Sequence, residues 1–386
     1  MKKTSIIWFG AAISIAEIMT GSLLSPLGWK LGLLAIILGH TIGCSLMYLV
    51  GLIGCRSGKS TMESTSLSFG KMGSRFFALM NALQLIGWTG VMIFSGASAA
   101  TLIISQVNYS FWALIITALI FLWLFVYFKE LGIIPTIIMA LLFILSIFVS
   151  TTIFGAVSLT LLPQNTMNIW MGLELSIAMP LSWLPLIGDY TSEEKGVETI
   201  PLVSALVYFC ASSWMYIVGL GCGMRSGSTD FAVILKESGL PLSALIVIVL
   251  STVTTTYLDV YSCGISAKTL GFNSRKSAIA CTVIGLVLAL TIPSGGLEPF
   301  LYVISSIFVP MASIQITDFF IVHKDQSEST IHIPAMVIFL LGFLLYRYLL
   351  TIDFVLGVSL PVIVITALLE VVSEKLQVCK KEKQYA

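Results

Sequence analysis

The sequence predicts an all-α polytopic membrane protein with about twelve transmembrane helices. Of its 386 residues, 57% are hydrophobic and only 10% are charged, and the mean hydropathy is +1.01. A soluble domain carries about 25% charged residues, so the composition excludes an ordinary soluble enzyme or binding domain. A spanning helix needs about 20 predominantly apolar residues, and apolar segments of that kind follow one another along nearly the whole chain.

Charged or turn-rich breaks divide the chain into twelve apolar segments. They cover approximately 6–28, 31–53, 76–104, 110–127, 133–154, 168–188, 202–224, 239–267, 277–292, 298–322, 334–351 and 352–374. The connections between them are short, so we expect a single integral membrane domain over 1–386. The start MKKTSIIWFG is expected to belong to the first span rather than to a cleaved signal peptide, because no A-x-A-like site follows it.

The basic residues predict the orientation in the membrane. If both termini are cytoplasmic, only four of the twenty Lys and Arg residues lie outside, and all the others lie inside. The outside residues are Lys30, Arg225, Lys236 and Arg347. Cytoplasmic loops of membrane proteins carry an excess of Lys and Arg. We therefore expect a multi-pass protein of the cell membrane with both termini in the cytoplasm.

Two predicted spans contain helix-breaking residues. The first contains three glycines and Pro26, and the sixth, ELSIAMPLSWLPLIGDYT, contains two prolines and a glycine. If the first five and the next five spans are equivalent units, the second unit enters the membrane inverted, because five is odd. The repeats would cover about 6–154 and 168–322, with extra helices over 334–374. Interrupted helices at matching positions of inverted halves indicate the binding site of a secondary transporter.

Polar residues inside the third and eighth spans predict a binding site. In NALQLIGWTGVM, Gln84 and Trp88 lie four residues apart on one helix face. An amide offers donors and an acceptor, and an indole offers a stacking surface, which together suit a planar heterocycle. In LSTVTTTYLDVYSCG, the hydroxyls of Ser251, Thr254 and Thr255 cluster one turn apart and could ligate a small cation.

Packing roles are the alternative interpretation of these residues. Trp88 could be an interfacial tryptophan, and the Ser and Thr hydroxyls could bond back to their own helix. Back-bonding does not explain Asp259, which follows Thr255 by one turn. For His40 in the second span we expect a packed, satisfied histidine rather than a proton relay. Among the remaining acids of the spans, Glu174 lies inside, and the others lie near span ends and are expected to be interfacial.

Enzyme and channel functions are not indicated. The sequence has no HExxH, GxSxG or ATP-binding motif, so we expect no catalytic residues and no cofactor. A channel would need a continuous polar stripe along several helices, whereas the polar stretches here are short and central. These features leave a secondary transporter as the predicted class.

Several segments resemble the nucleobase:cation symporter-1 family. They are the interrupted first helix, SGKSTMESTSLSFGKMGS after the second span, QLIGWTG in the third and PLIGDYT ending the sixth. The resemblance runs over nearly the whole chain, and within the family it points to the CytX-type branch of hydroxymethylpyrimidine transporters. It implies a LeuT-like fold of two inverted five-helix repeats plus two C-terminal helices, and cation-coupled uptake of a nucleobase-like ring.

The resemblance also implies site residues. The sodium site would use the carbonyls of Gly10, Ile13 and Ser251 and the hydroxyls of Thr254 and Thr255. The substrate pocket would use Ser14, Gln84, Trp88, Met179, Ser182 and Trp183. Family members often have an asparagine near the turn of Asp259, and this sequence has none, which leaves both Na⁺ and H⁺ as candidate coupling ions.

Glu17 lies near the middle of the first span, where a carboxylate costs about 2.5–3.5 kcal/mol on insertion scales. We expect the chain to tolerate Glu17 because it faces a water-filled cavity. A carboxyl group can pair with a ring nitrogen and an exocyclic amine of an aminopyrimidine at once, and Glu17 and Asp259 are the candidates for this pairing. The competing hypothesis is that Glu17 carries a proton.

The sequence therefore predicts a symporter that imports a pyrimidine-like compound, with hydroxymethylpyrimidine, a thiamine precursor, as the leading substrate. The alternatives are a cytosine, purine or allantoin-type permease and an amino-acid permease of the same fold. An amino-acid permease would have little need for Gln84 and Trp88. The expected partners are the substrate, the coupling cation and the lipid bilayer, with no nucleic acid.

Overall fold

The computed structural model describes residues 2–126, 133–156, 167–194, 196–227, 242–291, 296–352 and 354–385. Throughout these ranges the regular structure is helical, with no strand. The α-helices are α1 (Lys2–Ala12), α2 (Ile15–Leu23), α3 (Gly28–Ser57), α4 (Thr61–Ser64), α5 (Ser66–Ile103), α6 (Tyr109–Val126), α7 (Ile133–Ala156), α8 (Ile169–Thr191), α9 (Thr199–Ser226), α10 (Leu242–Thr269), α11 (Ser274–Thr291), α12 (Leu297–Thr317), α13 (Ile333–Leu349) and α14 (Ser359–Tyr385).

The predicted all-α polytopic class is confirmed. Within the described ranges, seven helical segments are long and apolar enough to cross a membrane. Each of the twelve predicted spans overlaps at least one helix, whereas the number of helices that actually cross the bilayer stays a prediction.

The first span is interrupted, as its sequence predicted, but not at a glycine. Helix α1 ends at Ala12 and α2 begins at Ile15. Between them, Ser14 has extended backbone angles, φ −139° and ψ 161°. A residue in the β region cannot continue an α-helix, so the break lies at Ile13 and Ser14.

The predicted interruption of the sixth span is wrong. Helix α8 runs without a break from Ile169 to Thr191 and contains Pro180 and Pro185. Each proline removes one backbone donor, but α8 is buried along nearly all its length. Membrane helices tolerate proline where neighbouring groups satisfy the freed carbonyls.

The packing of the helices places the first span against the second half of the chain. Helices α1 and α2 pack on α9, α3 packs along α8, and α5 packs along α10. Residues predicted for the site on α2, α5, α8 and α10 therefore all lie in the centre of the bundle, and most are buried.

Helices α2 and α9 approach so closely that glycine is required on both. A Cβ atom on Gly21 would lie 2.4 Å from the carbonyl oxygen of Tyr216, and a Cβ atom on Gly219 would lie 2.2 Å from that of Ile18. Small residues at such interfaces let the backbones of membrane helices touch. The contact fixes α2 against α9 at the level of Glu17.

The SFGKMGS segment at the start of α5 holds the loop that precedes α13. The backbone N–H of Lys71 donates to the Ser329 carbonyl at 3.0 Å, and that of His332 donates to the Phe69 carbonyl at 3.0 Å. Gly70 between them has a φ of +76°, and a Cβ atom there would lie 2.8 Å from Ser329 Oγ. The motif therefore has a structural role, because only glycine fits this turn.

The GDYT segment at the end of α8 binds the connection between α3 and α5. Thr61 donates its N–H to Asp189 Oδ1 at 3.3 Å and accepts the Gly188 N–H at 2.7 Å through its hydroxyl. Thr191 donates its hydroxyl to the Gly51 carbonyl at 2.9 Å. These bonds tie α8 to the neighbouring helices at the end where the motif lies.

Glu174 attaches the C-terminal helices to α8. Its Oε1 accepts the hydroxyls of Tyr346 and Ser359, and its Oε2 accepts the backbone N–H groups of Val358 at 3.2 Å and Ser359 at 2.9 Å. Glu174 is buried within the protein, with only 2% of the residue exposed, and its depth inside the membrane stays a prediction.

A second buried charged cluster joins α14 to the loop before α13. Lys324 Nζ lies 3.2 Å from Glu370 Oε1 and 3.3 Å from His332 Nδ1, and it also donates to Glu374. Burial lowers the pKa of the His332 imidazole, and the Lys324 ammonium lowers it further. Asp318 and Glu370 were expected to be interfacial; both are buried within the protein, at 1% and 0% exposure, and their depth in the membrane stays a prediction.

Candidate functional site

The break in the first helix contacts α10. Ser251 Oγ donates to the Ile13 carbonyl oxygen at 3.1 Å. Thr255 Oγ1 donates to the Ser251 carbonyl at 3.1 Å, and Thr254 Oγ1 donates to the Leu250 carbonyl at 3.0 Å. A hydroxyl that has donated its proton keeps its oxygen lone pairs. Hydroxyl and carbonyl oxygens at this contact can therefore ligate a small hard cation.

The structure brings some of the predicted cation ligands together. Ile13, Ser251 and Thr255 are linked by the two bonds above. Gly10 lies earlier on α1, where a Cβ atom would collide with the Met139 side chain. The back-bonding of Thr254 and Thr255, expected as the alternative interpretation, also occurs. Their role in cation binding stays a prediction.

The side chain of Gln84 is held in one orientation. Its Nε2 donates to Asn81 Oδ1 at 2.7 Å and to the Ser182 carbonyl at 3.2 Å, and Asn81 in turn donates to Ser266 Oγ at 2.7 Å. Both partners of Nε2 are acceptors, so the amide cannot be flipped without losing these bonds. Gln84 Oε1 is left buried with no donor in the described part of the chain.

Tryptophans lie next to both ends of the Gln84–Ser182 bond. Trp88 follows Gln84 by one turn of α5, is 6% exposed and packs edge-on against Phe300 with ring centroids 5.4 Å apart. Trp183 follows Ser182 and packs edge-on against Trp8 at 6.2 Å. Aromatic faces beside an oriented amide are suited to a flat polar ring.

Two further predicted residues have structural partners. Ser182 Oγ donates to the Met179 carbonyl at 2.7 Å within α8. Ser14 is the N-cap of α2, and its hydroxyl accepts the Glu17 N–H at 3.5 Å. Both serines therefore lie at the core but already use part of their hydrogen-bonding capacity.

Glu17 points toward α9 and not into a cavity. Its Oε1 accepts the Tyr208 hydroxyl at 2.6 Å, and its Oε2 lies 2.7 Å from Ser212 Oγ, which in turn lies 2.7 Å from His40 Nε2. Glu17 is fully buried. The expectation that it faces a water-filled cavity is wrong for this conformation, because hydroxyl groups occupy both carboxyl oxygens. Pairing of Glu17 with a substrate stays a prediction.

Asp259 is the second carboxyl group considered for the aminopyrimidine edge. It is 3% exposed on α10, and no hydrogen bond joins it to Glu17 within the described ranges. Pairing of Asp259 with a substrate stays a prediction.

Asn81, Tyr208 and Ser212 contact the predicted site residues but were not predicted from the sequence. Asn81 precedes Gln84 by three residues and shares its helix face, so the helical spacing could have identified it. Tyr208 and Ser212 are four residues apart on α9, but nothing in the sequence indicates that this face contacts a residue nearly two hundred positions earlier.

The chain matches proteins of one family. The family described as permeases for cytosine/purines, uracil, thiamine and allantoin matches residues 1–335. The cytosine permease of Escherichia coli K12 is 23% identical over 322 residues, covering 82% of this chain and 76% of that protein. The CytX-type branch stays a prediction.

Solved structures share the fold. Mhp1, a nucleobase-cation-symport-1 family transporter, matches in a closed conformation with bromovinylhydantoin bound, with a TM-score of 0.77, 18% identity and coverage of 98% of this chain and 92% of that chain. Its inward-facing conformation gives 0.78 at 18% identity, covering 98% and 90%. A manganese transporter of Eremococcus coleocola gives 0.54 at 10% identity, covering 96% and 92%.

The likeness to Mhp1 confirms the LeuT-like fold, and the match to the permeases covers most of the chain. The predicted class of secondary transporter, as opposed to an enzyme, is confirmed by the same relatives. The chain belongs to the family of permeases for cytosine/purines, uracil, thiamine and allantoin, the nucleobase:cation symporters.

Proposed function

We propose that this permease imports hydroxymethylpyrimidine, a thiamine precursor, together with a cation. The relatives support a small polar ring as the substrate, since one is a cytosine permease and another binds a hydantoin. An aminopyrimidine presents an exocyclic amine beside a ring nitrogen, and its flat face can stack on an indole.

The observation that carries this proposal is the free acceptor of Gln84. No group among the described residues donates to its buried Oε1, while Nε2 is held by Asn81 and Ser182. A buried acceptor without a donor is costly unless a ligand supplies one. The exocyclic amine of the substrate would donate to Oε1, and Trp88 would stack on the ring.

The remaining pocket residues are part of the same proposal. Ser14, Met179, Ser182, Trp183 and Asp259 would line the substrate site, and all of them are buried in the core. Glu17 and Asp259 are the two carboxyl candidates for pairing with the amine edge. Asp259 is the one that stays available, because both oxygens of Glu17 are bonded to α9.

The proposed cation site lies where α1 and α2 meet α10. The carbonyls of Gly10, Ile13 and Ser251 and the hydroxyls of Thr254 and Thr255 would hold Na⁺ as a co-transported ion. The bond between Ser251 Oγ and the Ile13 carbonyl supports this position, since it already brings two of these residues together.

The packing supports the inverted repeats over about 6–154 and 168–322, with extra helices over 334–374. In the proposed repeat, each of the first five spans corresponds to the span five places later. Exchanging corresponding spans turns the contact between the second and sixth spans into a contact between the seventh and first spans. The same exchange leaves the contact between the third and eighth spans unchanged. The structure has all three contacts. We place the protein in the cell membrane with both termini cytoplasmic.

Uptake into liposomes tests the proposed function. Labelled hydroxymethylpyrimidine and cytosine would be compared in the presence and absence of an inward sodium gradient. The proposal expects sodium-stimulated uptake of hydroxymethylpyrimidine that excess unlabelled cytosine inhibits only weakly. Preferential uptake of cytosine would replace hydroxymethylpyrimidine by cytosine as the substrate, the second candidate, which the Escherichia coli relative favours.

A further inference from the structure

Three side chains from three helices form an unbroken chain of short polar contacts that does not include Gln84. Glu17 on α2 lies 2.7 Å from Ser212 on α9, and Ser212 lies 2.7 Å from His40 on α3. All three residues are 0% exposed. None of them belongs to the proposed pocket face of Gln84 or to the proposed cation ligands.

The hydrogen positions in this chain follow from its partners. His40 Nδ1 lies 3.0 Å from the Ile36 carbonyl, which can only accept, so Nδ1 carries a hydrogen. In a neutral imidazole, Nε2 is then an acceptor. Ser212 has a single hydroxyl hydrogen, which it can donate to His40 or to Glu17 but not to both.

An ionised Glu17 next to a neutral His40 does not satisfy these contacts. One of the two 2.7 Å contacts of Ser212 would then place lone pairs opposite each other. One additional proton makes both contacts hydrogen bonds, and it resides on Glu17 Oε2 or on His40 Nε2. The first arrangement leaves both groups neutral, which avoids the cost of burying separated charges.

We propose that Glu17, Ser212 and His40 form a proton-binding site, in which Glu17 is a carboxylic acid that donates to Ser212 and Ser212 donates to His40. The site holds one exchangeable proton at neutral pH. Within this site, Glu17 lies on α2, one turn after Ile13, and Ser212 lies on α9. A movement of α2 relative to α9 therefore changes the contact between Glu17 and Ser212 that retains the proton.

Thiol and phenol groups, not cations, are the ionisable neighbours of the site in the described ranges. The ionisable groups that face the site are Cys44 on α3 and Tyr208 and Tyr216 on α9. Tyr208 donates its hydroxyl to the other oxygen of Glu17, and the ring of Tyr216 packs edge-on against His40 at 4.6 Å. In the described part of the chain, no Lys or Arg forms an ion pair with Glu17.

Infrared difference spectroscopy tests the protonation without a substrate. Purified full-length protein in lipid vesicles at pH 7, where an exposed glutamic acid is ionised, should show a protonated-carboxyl band that disappears in Glu17→Gln. The matched control is Glu174→Gln. Glu174 is equally buried, but two of its donors are backbone N–H groups that can only donate, so this change should leave the band in place.

Substitutions of Ser212 test the chain itself and avoid any change at Glu17. Ser212→Ala removes the acceptor of the Glu17 proton and should shift the band toward that of a weakly bonded acid, whereas Ser212→Thr should keep its position. The absence at pH 7 of any band sensitive to Glu17→Gln, or a band unmoved by Ser212→Ala, overturns the proposal.

A role of this proton in coupling rests on the proposed function, but its presence does not. If the band behaves as expected while the vesicles fail to take up either pyrimidine, the proton site stands and the proposed function fails. The two results are therefore separable in the same preparation.

Discussion

The Ser251 hydroxyl donates a 3.1 Å hydrogen bond to the carbonyl oxygen of Ile13. This bond joins the interruption of the first helix to α10, although the two residues are 238 positions apart in the sequence. The proposed cation would bind the Ile13 carbonyl oxygen and so compete with this hydrogen bond. The relative position of α2 and α10 would then depend on cation occupancy.

The first prediction concerns this contact. Thr254→Ala combined with Thr255→Ala removes the two hydroxyls proposed as cation ligands, and the hydrogen bonds that these hydroxyls donate lie within α10. We expect sodium stimulation of uptake to weaken. Thr256→Ala is the matched control, because its hydroxyl bonds back to Thr252 in the same way. Sodium stimulation that survives the double substitution would place the cation elsewhere.

The second prediction concerns stacking on Trp88. Trp88→Ala should lower the affinity for the ring by about 1–3 kcal/mol, by analogy with base–aromatic stacking. Trp88→Phe should recover part of this loss, since it keeps an aromatic face. Equilibrium binding of the labelled pyrimidine measures both variants. Unchanged affinity of Trp88→Ala would assign Trp88 to packing against Phe300.

The third prediction concerns the acceptor of Gln84. Gln84→Leu keeps a similar volume but removes Oε1 together with the Nε2 bonds to Asn81 and Ser182, so the affinity for the pyrimidine should fall by at least the value of one hydrogen bond, about 0.5–1.5 kcal/mol. Gln315→Leu is the control, because Gln315 on α12 also has a buried oxygen without a donor in the described part of the chain. Equal losses in both variants would show a general effect on the fold.

The sequence predicts those features of the site that depend on local spacing. The break of the first helix and the hydroxyls of α10 follow from residues close together in the chain. The position of the break does not, because Ser14 leaves the helix although three glycines are nearby. The prolines of α8 misled the prediction, since burial among neighbouring helices keeps that helix continuous.

The environment of Glu17 could not be predicted from the sequence. Helical periodicity shows which residues share its face, but not whether that face meets a cavity or another helix. The outcome depends on Tyr208 and Ser212, which lie 191 and 195 residues away. It also depends on the close approach of Gly21 and Gly219, which a sequence alone does not pair.

The fourth prediction concerns pH and His332. Its pKa is lowered from 6.5 by burial and then by the Lys324 ammonium, so the unfolded state binds a proton more readily than the folded state. The stabilisation by the neutral ring is therefore complete above pH 6.5 and is lost as the pH falls through the folded pKa. The difference between the melting temperatures measured above and below pH 6.5 should be smaller for His332→Gln than for the wild type. An unchanged pH dependence in the variant would exclude His332 as the titrating group.

The last prediction concerns Glu17 in transport. Glu17→Gln keeps the volume of the side chain and removes the exchangeable proton, while Gln84 and Trp88 are unaffected. We therefore expect near-normal equilibrium binding of the pyrimidine, loss of accumulation driven by a pH gradient, and exchange of substrate across the membrane that persists. Glu174→Gln, a second buried carboxyl group, should retain the response to the pH gradient.

Two other results for Glu17→Gln would have different meanings. Binding weakened by about 1.5–3 kcal/mol, the value of a hydrogen bond to a charged group, would show that Glu17 pairs with the substrate in another conformation. Discrimination against rings without the exocyclic amine should then relax as well, since a site built for a polar partner rejects analogues that leave it unpaired. Normal binding together with normal pH-driven accumulation would show that Glu17 only joins α2 to α9, because neither step would then depend on its proton.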